Sequence, residues 1–382
     1  MAKVLLFANT DWYLYNFRLN LAKALRALGY EVVLISPPGE FQQLLQKNGF
    51  SWIPFPLSRQ GFNPFMELET LWRLIHLYRQ VRPDIVHHFT IKPVIYGSLA
   101  ARFLSIPGII NSITGLGHLF IDPGIHTRLL RNIAKWLYRI SLRRTHVIFE
   151  NPADRDIFIK NKFLKAGQTH LILGTGVDTE KFYPSRREAD VPVVLFASRF
   201  LTTKGLPEFV EAAQILKQKG VRGRFAIAGT TDPGNPASIS QAQIDSWKQS
   251  GLTEWWGWQA DMPAALAKAD IFCLPSYREG VPNALIEACA SGLPIVTTDV
   301  PGCRDVVTDG LNGFLVPPRD PQALAEALEK LLIDPDLRSR MGEMGRQFAL
   351  ENFSLNLAIQ QTLSVYRQAF PTKQIAHDSQ QG

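Results

Sequence analysis

Short apolar runs alternate with longer amphipathic stretches along the chain, and the pattern occurs twice. Val4-Leu5-Leu6-Phe7-Ala8-Asn9 is apolar and ends in polar residues. From about Phe17 to Leu28, the residues Leu19, Leu21, Ala22, Leu25 and Leu28 share one face at helical spacing, and Gly29 stops the helix. Glu31–Ser36 reads as the next strand. Asp84–Phe89 and Gly108–Ser112 repeat the theme, with a helix between Pro93 and Leu104. A second series opens at Val191–Ala197. It continues with a helix over Gly205–Lys219, strands over Arg224–Ala228, Glu254–Trp258 and Ile271–Leu274, a helix over Asn283–Ser291 and a strand over Pro294–Thr298. Strands that are apolar along their length and separated by helices predict parallel sheets covered on both faces. Tyr183–Asp190 is polar and holds a proline, as a linker would.

The predicted fold class is therefore α/β, with two doubly wound Rossmann-like domains over residues 1–183 and 184–353. A helix over 354–370 is expected to pack back on the first domain, followed by a polar tail, 371–382. Ligands in such sheets sit beyond the carboxyl ends of the strands, and two facing sheets would make a central cleft.

Composition narrows the class. The chain has 382 residues, 46% of them hydrophobic and 20% charged, which excludes disorder and fibrous repeats. No apolar run approaches the roughly 18 residues of a spanning helix, and the first residues are too short an apolar stretch for a secretory signal. Cys273, Cys289 and Cys303 show no CxxC spacing, as expected of a reducing, cytoplasmic compartment. The net charge of +7 is uneven: residues 1–180 carry 21 Lys+Arg against 12 Asp+Glu (+9), and residues 181–382 carry 20 against 22 (−2). A basic half suits nucleic acid, an anionic lipid surface or a polyanionic substrate, and charge alone does not choose among them.

Two loops carry chemistry. Glu279-Gly280-Val281-Pro282-Asn283-Ala284-Leu285-Ile286-Glu287 follows the strand at Ile271–Leu274 and opens a helix near Asn283. Glu279 then lies beside the free N–H groups of a helix start, which suit a phosphate, and Glu287 lies one turn in. Two lone glutamates would be read as a helix-start charge and a solvated helix residue. Arg199 and Lys204 change that reading. They stand just past the first strand of the second domain, before a helix opened by Gly205, and together make a diphosphate site.

With these motifs the second half resembles the nucleotide-sugar domain of the GT4 family of retaining glycosyltransferases, which have the GT-B fold. Ala288-Cys289-Ala290-Ser291-Gly292-Leu293-Pro294-Ile295-Val296, Asp299-Val300-Pro301-Gly302 and Gly310-x2-Gly313-Phe314-Leu315-Val316 continue the match. The resemblance runs from residue 4 to about 369 and is strongest over 190–320. It implies that Arg199 and Lys204 bind the donor diphosphate and stabilise the leaving UDP, and that Glu287 holds the ribose. It implies further that Glu279 contacts the donor sugar, while Gly280, Val281, Asn283, Ala284 and Leu285 line the sugar and phosphate. Two cations and a helix dipole can stabilise a departing diphosphate, so no cofactor and no metal are expected. Asp334-Pro335-Asp336 reads as a turn and helix cap.

In the first half, His88 and Lys92 of Asp84–Pro93 resemble the segment that borders the acceptor cleft, although a core histidine is an equal reading for His88. Ser112-Ile113-Thr114-Gly115-Leu116-Gly117-His118 aligns with a loop where many members carry a His before the Gly; here Thr114 stands there, with Gly115 next and His118 four residues on. The loop resembles the branch extending saccharides on polyprenyl diphosphate carriers, including bacterial N-acetylgalactosaminyltransferases. Asn9–Tyr13 lacks the usual Gly-Gly pair, and Arg18 is the residue placed to replace some of that contact. Residues 128–144 form a basic amphipathic stretch, with Arg128, Arg131, Lys135 and Arg139 on one stripe. It fits an anionic membrane surface as well as it fits a solvated helix face.

The expected function is transfer of a hexose or N-acetylhexosamine from a UDP-sugar to a lipid-linked saccharide, in the cytoplasm or peripherally on the inner face of the plasma membrane. The alternative is a nucleotide-sugar isomerase of the UDP-N-acetylglucosamine 2-epimerase type, which shares the fold. Nucleic acid is not expected as a partner because no recognition motif appears. A dinucleotide dehydrogenase is disfavoured because no GxGxxG opens a helix after either first strand.

Overall fold

The apolar runs form parallel strands in two sheets. The computed structural model describes residues 1–57, 64–115, 125–185 and 190–371, with side chains apart from those of residues 64 and 125–132. One unit comprises Met1–Thr175 together with the chain from Ala358, and the other comprises Gly176–Leu357.

In the first unit the strands are β1 (Lys3–Phe7), β2 (Glu31–Ser36), β3 (Ser51–Pro54), β4 (Ile85–Phe89), β5 (Gly108–Ile113), β6 (His146–Phe149) and β7 (Thr169–Leu171). They pair in parallel in the order β3-β2-β1-β4-β5-β6-β7. Every residue of β4 is buried, as expected for a strand covered on both faces. On one face Leu5, Phe7, Val33 and Val86 pack against Leu74, Tyr78, Ala101 and Tyr138 of the helices Pro64–Val81, Ser98–Phe103 and Ile125–Ser141. On the other, Val4, Leu6 and Leu34 meet Leu21 and Leu25 of the helix Leu19–Ala27, and Leu363 and Tyr366 of the helix Leu355–Ala369. That last helix is fixed to the first sheet by more than apolar contact, because the Tyr366 hydroxyl lies 2.9 Å from Nδ1 of buried His87.

The division between units falls at 175/176, where the sequence suggested 183/184. Residues 176–183 are held by the second unit: Val177 N–H donates to the Phe353 carbonyl at 2.8 Å, and Leu355 N–H donates back to the Val177 carbonyl at 2.9 Å. The Arg346 guanidinium adds bonds to the carbonyls of Phe182 (2.7 Å) and Thr179 (3.0 Å). A polar, proline-containing segment marks a weakly specified stretch, whereas the boundary follows where the backbone bonds go.

In the second unit β8 (Val193–Ala197), β9 (Arg224–Ala228), β10 (Glu254–Gly257), β11 (Ile271–Leu274), β12 (Ile295–Thr298) and β13 (Gly313–Val316) run in the order β10-β9-β8-β11-β12-β13. The strand order reverses between β8 and β11, which makes their carboxyl ends the switch point of a doubly wound sheet. The helices around it are Leu206–Gln218 after β8 and Asn283–Ala290 after β11.

Candidate active site

The loops leaving β8 and β11 meet at the switch point. Tyr277 N–H donates to the Thr203 carbonyl at 2.9 Å. Gly205 has φ +76°, and a Cβ there would lie 2.1 Å from the Pro275 carbonyl oxygen, so only glycine lets the two loops approach. Lys204, immediately before it, forms an ion pair through Nζ with the Glu279 carboxylate; both side chains are largely buried. A third loop buttresses the pair. Glu279 N–H donates to the Pro301 carbonyl at 3.3 Å. Gly302, at φ +86°, brings its backbone so near that a Cβ would stand 2.2 Å from the Gly280 carbonyl oxygen. Thr298 Oγ1 donates to the Ser276 carbonyl from the end of β12.

The helix Asn283–Ala290 begins after Pro282 with no side chain capping its first turn. Its positive dipole end is thus aimed at the loop that holds Glu279 and Gly280. Val281 and Leu285 are buried and anchor the turn, while Asn283 and Ala284 are partly exposed. One turn in, burial pushes the Glu287 carboxyl up to about 7, against the pull of the Lys181 ammonium. Arg199 lies on the same β8 loop but on a more open side, where it pairs with Asp232 at 2.6 Å. The structure therefore gathers Lys204, Glu279, Gly280 and the helix start, with Glu287 behind them and Arg199 flanking.

The residues expected in the first unit separate. His88 is fully buried, its ring between the Tyr78 hydroxyl (3.0 Å) and the Asn111 carboxamide oxygen (2.9 Å), and burial lowers its pKa to about 4. It is a core histidine, out of reach of any substrate. Arg18 is also buried, bonded to the Tyr13 hydroxyl at 3.1 Å, paired with Glu150 at 3.5 Å and stacked over Phe89. Its guanidinium is thus committed inside the fold instead of supplying an acceptor contact. Lys92 is tied to Glu67 at 2.6 Å. Thr114 and Gly115 follow β5 at its carboxyl end and are partly exposed, as a ligand-facing loop requires; His118 lies outside the described residues. Asp334 of the Asp-Pro-Asp turn caps the helix Pro335–Asn352, accepting from Leu337 N–H at 2.8 Å.

Residues 177–348 match the family model described as glycosyl transferases group 1, and residues 3–151 match the model described as glycosyl transferase 4-like. The chain is 31% identical over 367 residues to the N,N'-diacetylbacillosaminyl-diphospho-undecaprenol alpha-1,3-N-acetylgalactosaminyltransferase of Campylobacter jejuni, covering 92% of this chain and 95% of the relative. The chain belongs to the GT4-like glycosyltransferases.

A more distant relative is the UDP-Gal:alpha-D-GlcNAc-diphosphoundecaprenol alpha-1,3-galactosyltransferase of Escherichia coli, 27% identical with 70% of this chain and 71% of the relative covered. Among solved structures, Anabaena HepE in complex with UDP-glucose aligns with a TM-score of 0.77 at 21% identity, over 95% of this chain and 100% of that one. A sucrose-phosphate synthase from Thermosynechococcus elongatus aligns with a TM-score of 0.79 at 22% identity, over 97% and 100%. The two sheets of this glycosyltransferase are those of the GT-B fold. The isomerase alternative finds no support among these relatives.

Sequence reasoning missed the partners that hold the site. Asp232, which engages Arg199, follows β9 on Gly229-Thr230-Thr231, a polar turn after an apolar strand of the same sheet that could have signalled it. At Thr230 and Thr231 of the same turn a hollow of about 290 Å³ opens at the carboxyl ends of β8–β10, also lined by Phe200, Lys248 and Trp258. Glu208, which accepts from the Tyr277 hydroxyl, sits in the first turn of the helix after Gly205, and no motif marks it.

Proposed function

We propose that this glycosyltransferase moves a hexose or N-acetylhexosamine from a UDP-sugar to a saccharide carried on a polyprenyl diphosphate, with retention at the anomeric carbon. The observation that carries the donor half is the meeting of Lys204, Glu279 and an uncapped helix start at the switch point of the second sheet. A diphosphate placed there accepts from helix N–H groups and shares Lys204 and Arg199 with their carboxylate partners. As the bond to the sugar breaks, charge builds on the leaving phosphate, and the preorganised cation and dipole stabilise it where it forms. Glu279, held by three loops, is the group presented to the donor sugar. Glu287 is assigned to the ribose hydroxyls, and the hollow beyond Arg199 offers an aromatic and hydroxyl-lined place for the base.

The acceptor half rests on likeness to the Campylobacter and Escherichia coli enzymes, whose names specify diphospho-undecaprenol-linked sugars. Thr114 and Gly115 are the residues we assign to the acceptor cleft. A lipid-linked acceptor would bring the enzyme to a membrane surface, and the basic stretch 128–144 suits that location. Within its described part, Trp136 and Arg139 are exposed. No helix among the described residues is long and apolar enough to cross a membrane.

The test is a thermal-shift titration with UDP, GDP and ADP, followed by transfer assays with UDP-hexoses and UDP-N-acetylhexosamines on polyprenyl-diphosphate-linked acceptors. A ligand at 100 times its dissociation constant adds about 2.7 kcal/mol, enough to raise the midpoint by several degrees. Stabilisation by UDP above the other two supports the reading, and no shift with any nucleotide removes it. Turnover that survives excess EDTA supports charge stabilisation by protein groups alone.

A further inference from the structure

Two helices of the second unit face each other across an open groove. The helix Leu206–Gln218 turns Pro207, Val210, Glu211 and Gln214 toward it, and the helix Gln241–Gln249 turns Gln243, Ser246 and Trp247 toward it. Both sets recur at three- and four-residue spacing, so each is a single stripe of its helix. Between the stripes lies a hollow of about 730 Å³, a volume typical of small-molecule sites and more than twice that of the hollow at Thr230 and Thr231. Thr202 and Ser238-Ile239-Ser240 form its floor. Thr202 N–H donates to the Ala237 carbonyl at 2.9 Å, which ties the floor to the loop that carries Lys204. Ser240 Oγ accepts from Gln243 N–H at 3.3 Å and caps the second helix beside it.

The lining has a definite chemistry. Glu211, Gln214, Gln243 and Ser246 are exposed and Trp247 is partly so. Among the described residues, none of these five side chains has a hydrogen-bond partner, so their polar groups are uncommitted. No Lys, Arg or His among the described residues lines the hollow. Lys248, the cation of the second helix, lies over the Trp255 ring at 5.5 Å and lines the smaller hollow instead. A nucleotide, a phosphate or an acidic polymer would meet the Glu211 carboxylate with no cation to offset it. An apolar chain would displace water from the amides and the carboxylate and leave them unpaired. A neutral saccharide satisfies every group. Its hydroxyls donate to Glu211 and both donate to and accept from Gln214, Gln243 and Ser246. The C–H face of a pyranose ring lies against the electron-rich face of an indole.

We propose that this groove is a second saccharide site, separate from the transfer site, that takes a neutral oligosaccharide with one ring on Trp247 and hydroxyls on Glu211, Gln214 and Gln243. The stripe from Pro207 to Gln214 is about 10 Å long at about 1.5 Å per residue, longer than one pyranose ring, so a short chain fits it better than a monosaccharide. The site goes beyond the transfer reaction, because none of its side chains belongs to the donor site or to the loop assigned to the acceptor. Its chemistry is independent of which nucleotide carries the donor sugar.

The experiment follows the indole N–H signals of the nitrogen-labelled full chain while triacetylchitotriose, maltotriose or galactobiose is added to about 20 mM. The Trp247 signal is identified by its loss in Trp247→Phe. At least one of the three sugars is expected to move that signal with a dissociation constant in the millimolar range. The combined E211A/Q243A, at exposed positions, is expected to weaken that constant about tenfold or more. Its UDP thermal shift is expected to be unchanged. Lys204→Met, which disables the proposed donor site, is expected to bind the sugar as the wild type does. A Trp247 signal that none of the three sugars moves overturns the proposal, as does equal affinity in wild type and E211A/Q243A. Loss of sugar binding in Lys204→Met also overturns it, since the sugar then sits at the transfer site. A Trp247 titration without any UDP shift upholds the groove and counts against the donor site alone.

Discussion

Lys204 and Glu279 form an ion pair that joins the loop after β8 to the loop after β11, the two strands between which the second sheet reverses its order. The pair places one cation and one carboxylate at the start of an uncapped helix. Removing either partner leaves the other largely buried and uncompensated.

Lys204→Met is expected to lower transfer by about 100-fold or more and to abolish the UDP-induced thermal shift, because it removes the charge proposed to face the diphosphate. Glu279→Gln is expected to lower transfer comparably while keeping most of the UDP shift, because Glu279 is the group proposed to face the sugar. Initial rates of UDP release, read beside the thermal shift, separate the two roles. Equal retention of both properties in both variants would remove the pair from the mechanism.

Glu287 titrates near 7 in the fold because burial disfavours its charge. Between the ordinary carboxyl value and about 7 the folded chain holds a proton that the unfolded chain has released. The group therefore supports the fold on the acid side and costs stability as pH rises through about 7. Glu287→Gln is expected to flatten that part of the stability profile in urea unfolding. If the ribose hydroxyls bond the carboxylate, UDP affinity weakens toward about tenfold per pH unit below about 7 in the wild type and loses this dependence in Glu287→Gln. Calorimetric titration across that range reads it directly.

Gly205→Ala is expected to cost about 2 kcal/mol or more and to depress transfer, since a left-handed backbone and a contact with the Pro275 carbonyl act together. Gly220 has a similar φ of +74° with nothing within 4 Å of its Cβ direction. Gly220→Ala is therefore the control, expected to cost about 1 kcal/mol and leave transfer unchanged. Urea midpoints and rates on the two variants isolate the close approach from the backbone conformation.

His88 is held neutral by burial, the Asn111 carboxamide opposing only in part, and its pKa falls to about 4. Its contribution is complete above the ordinary imidazole value and is lost as pH drops toward 4, because the unfolded chain binds a proton that the folded chain refuses. This amounts to on the order of 3 kcal/mol. His88→Gln is expected to lower stability at neutral pH and to reduce the acid sensitivity below about 6.5. Unfolding midpoints at several pH values check both effects.

The sequence by itself determined the alternation of apolar strands and amphipathic helices, and hence two parallel sheets, because each strand must be apolar on both faces to lie under two helical layers. It also marked the two loops that meet at the switch point, since a cation pair before Gly205 and a glutamate before a helix start each lie on a short stretch whose local geometry follows from turn and cap chemistry. The short strands β3, β6 and β7 left little mark, being three or four residues long, with no fully buried residue in β3 or β7. Only the tertiary structure decided where each charge is held: Lys204 and Arg199 pair with Glu279 and Asp232 on loops at the carboxyl ends of the second sheet. Arg18, Lys92 and His88 look alike in sequence to Lys204 and Arg199, as polar residues after or within apolar runs. Their partners Glu150, Glu67 and Asn111 come from distant parts of the chain and hold them within the first unit. Pairing between distant segments is set by the sum of the chain's contacts, which no local pattern carries.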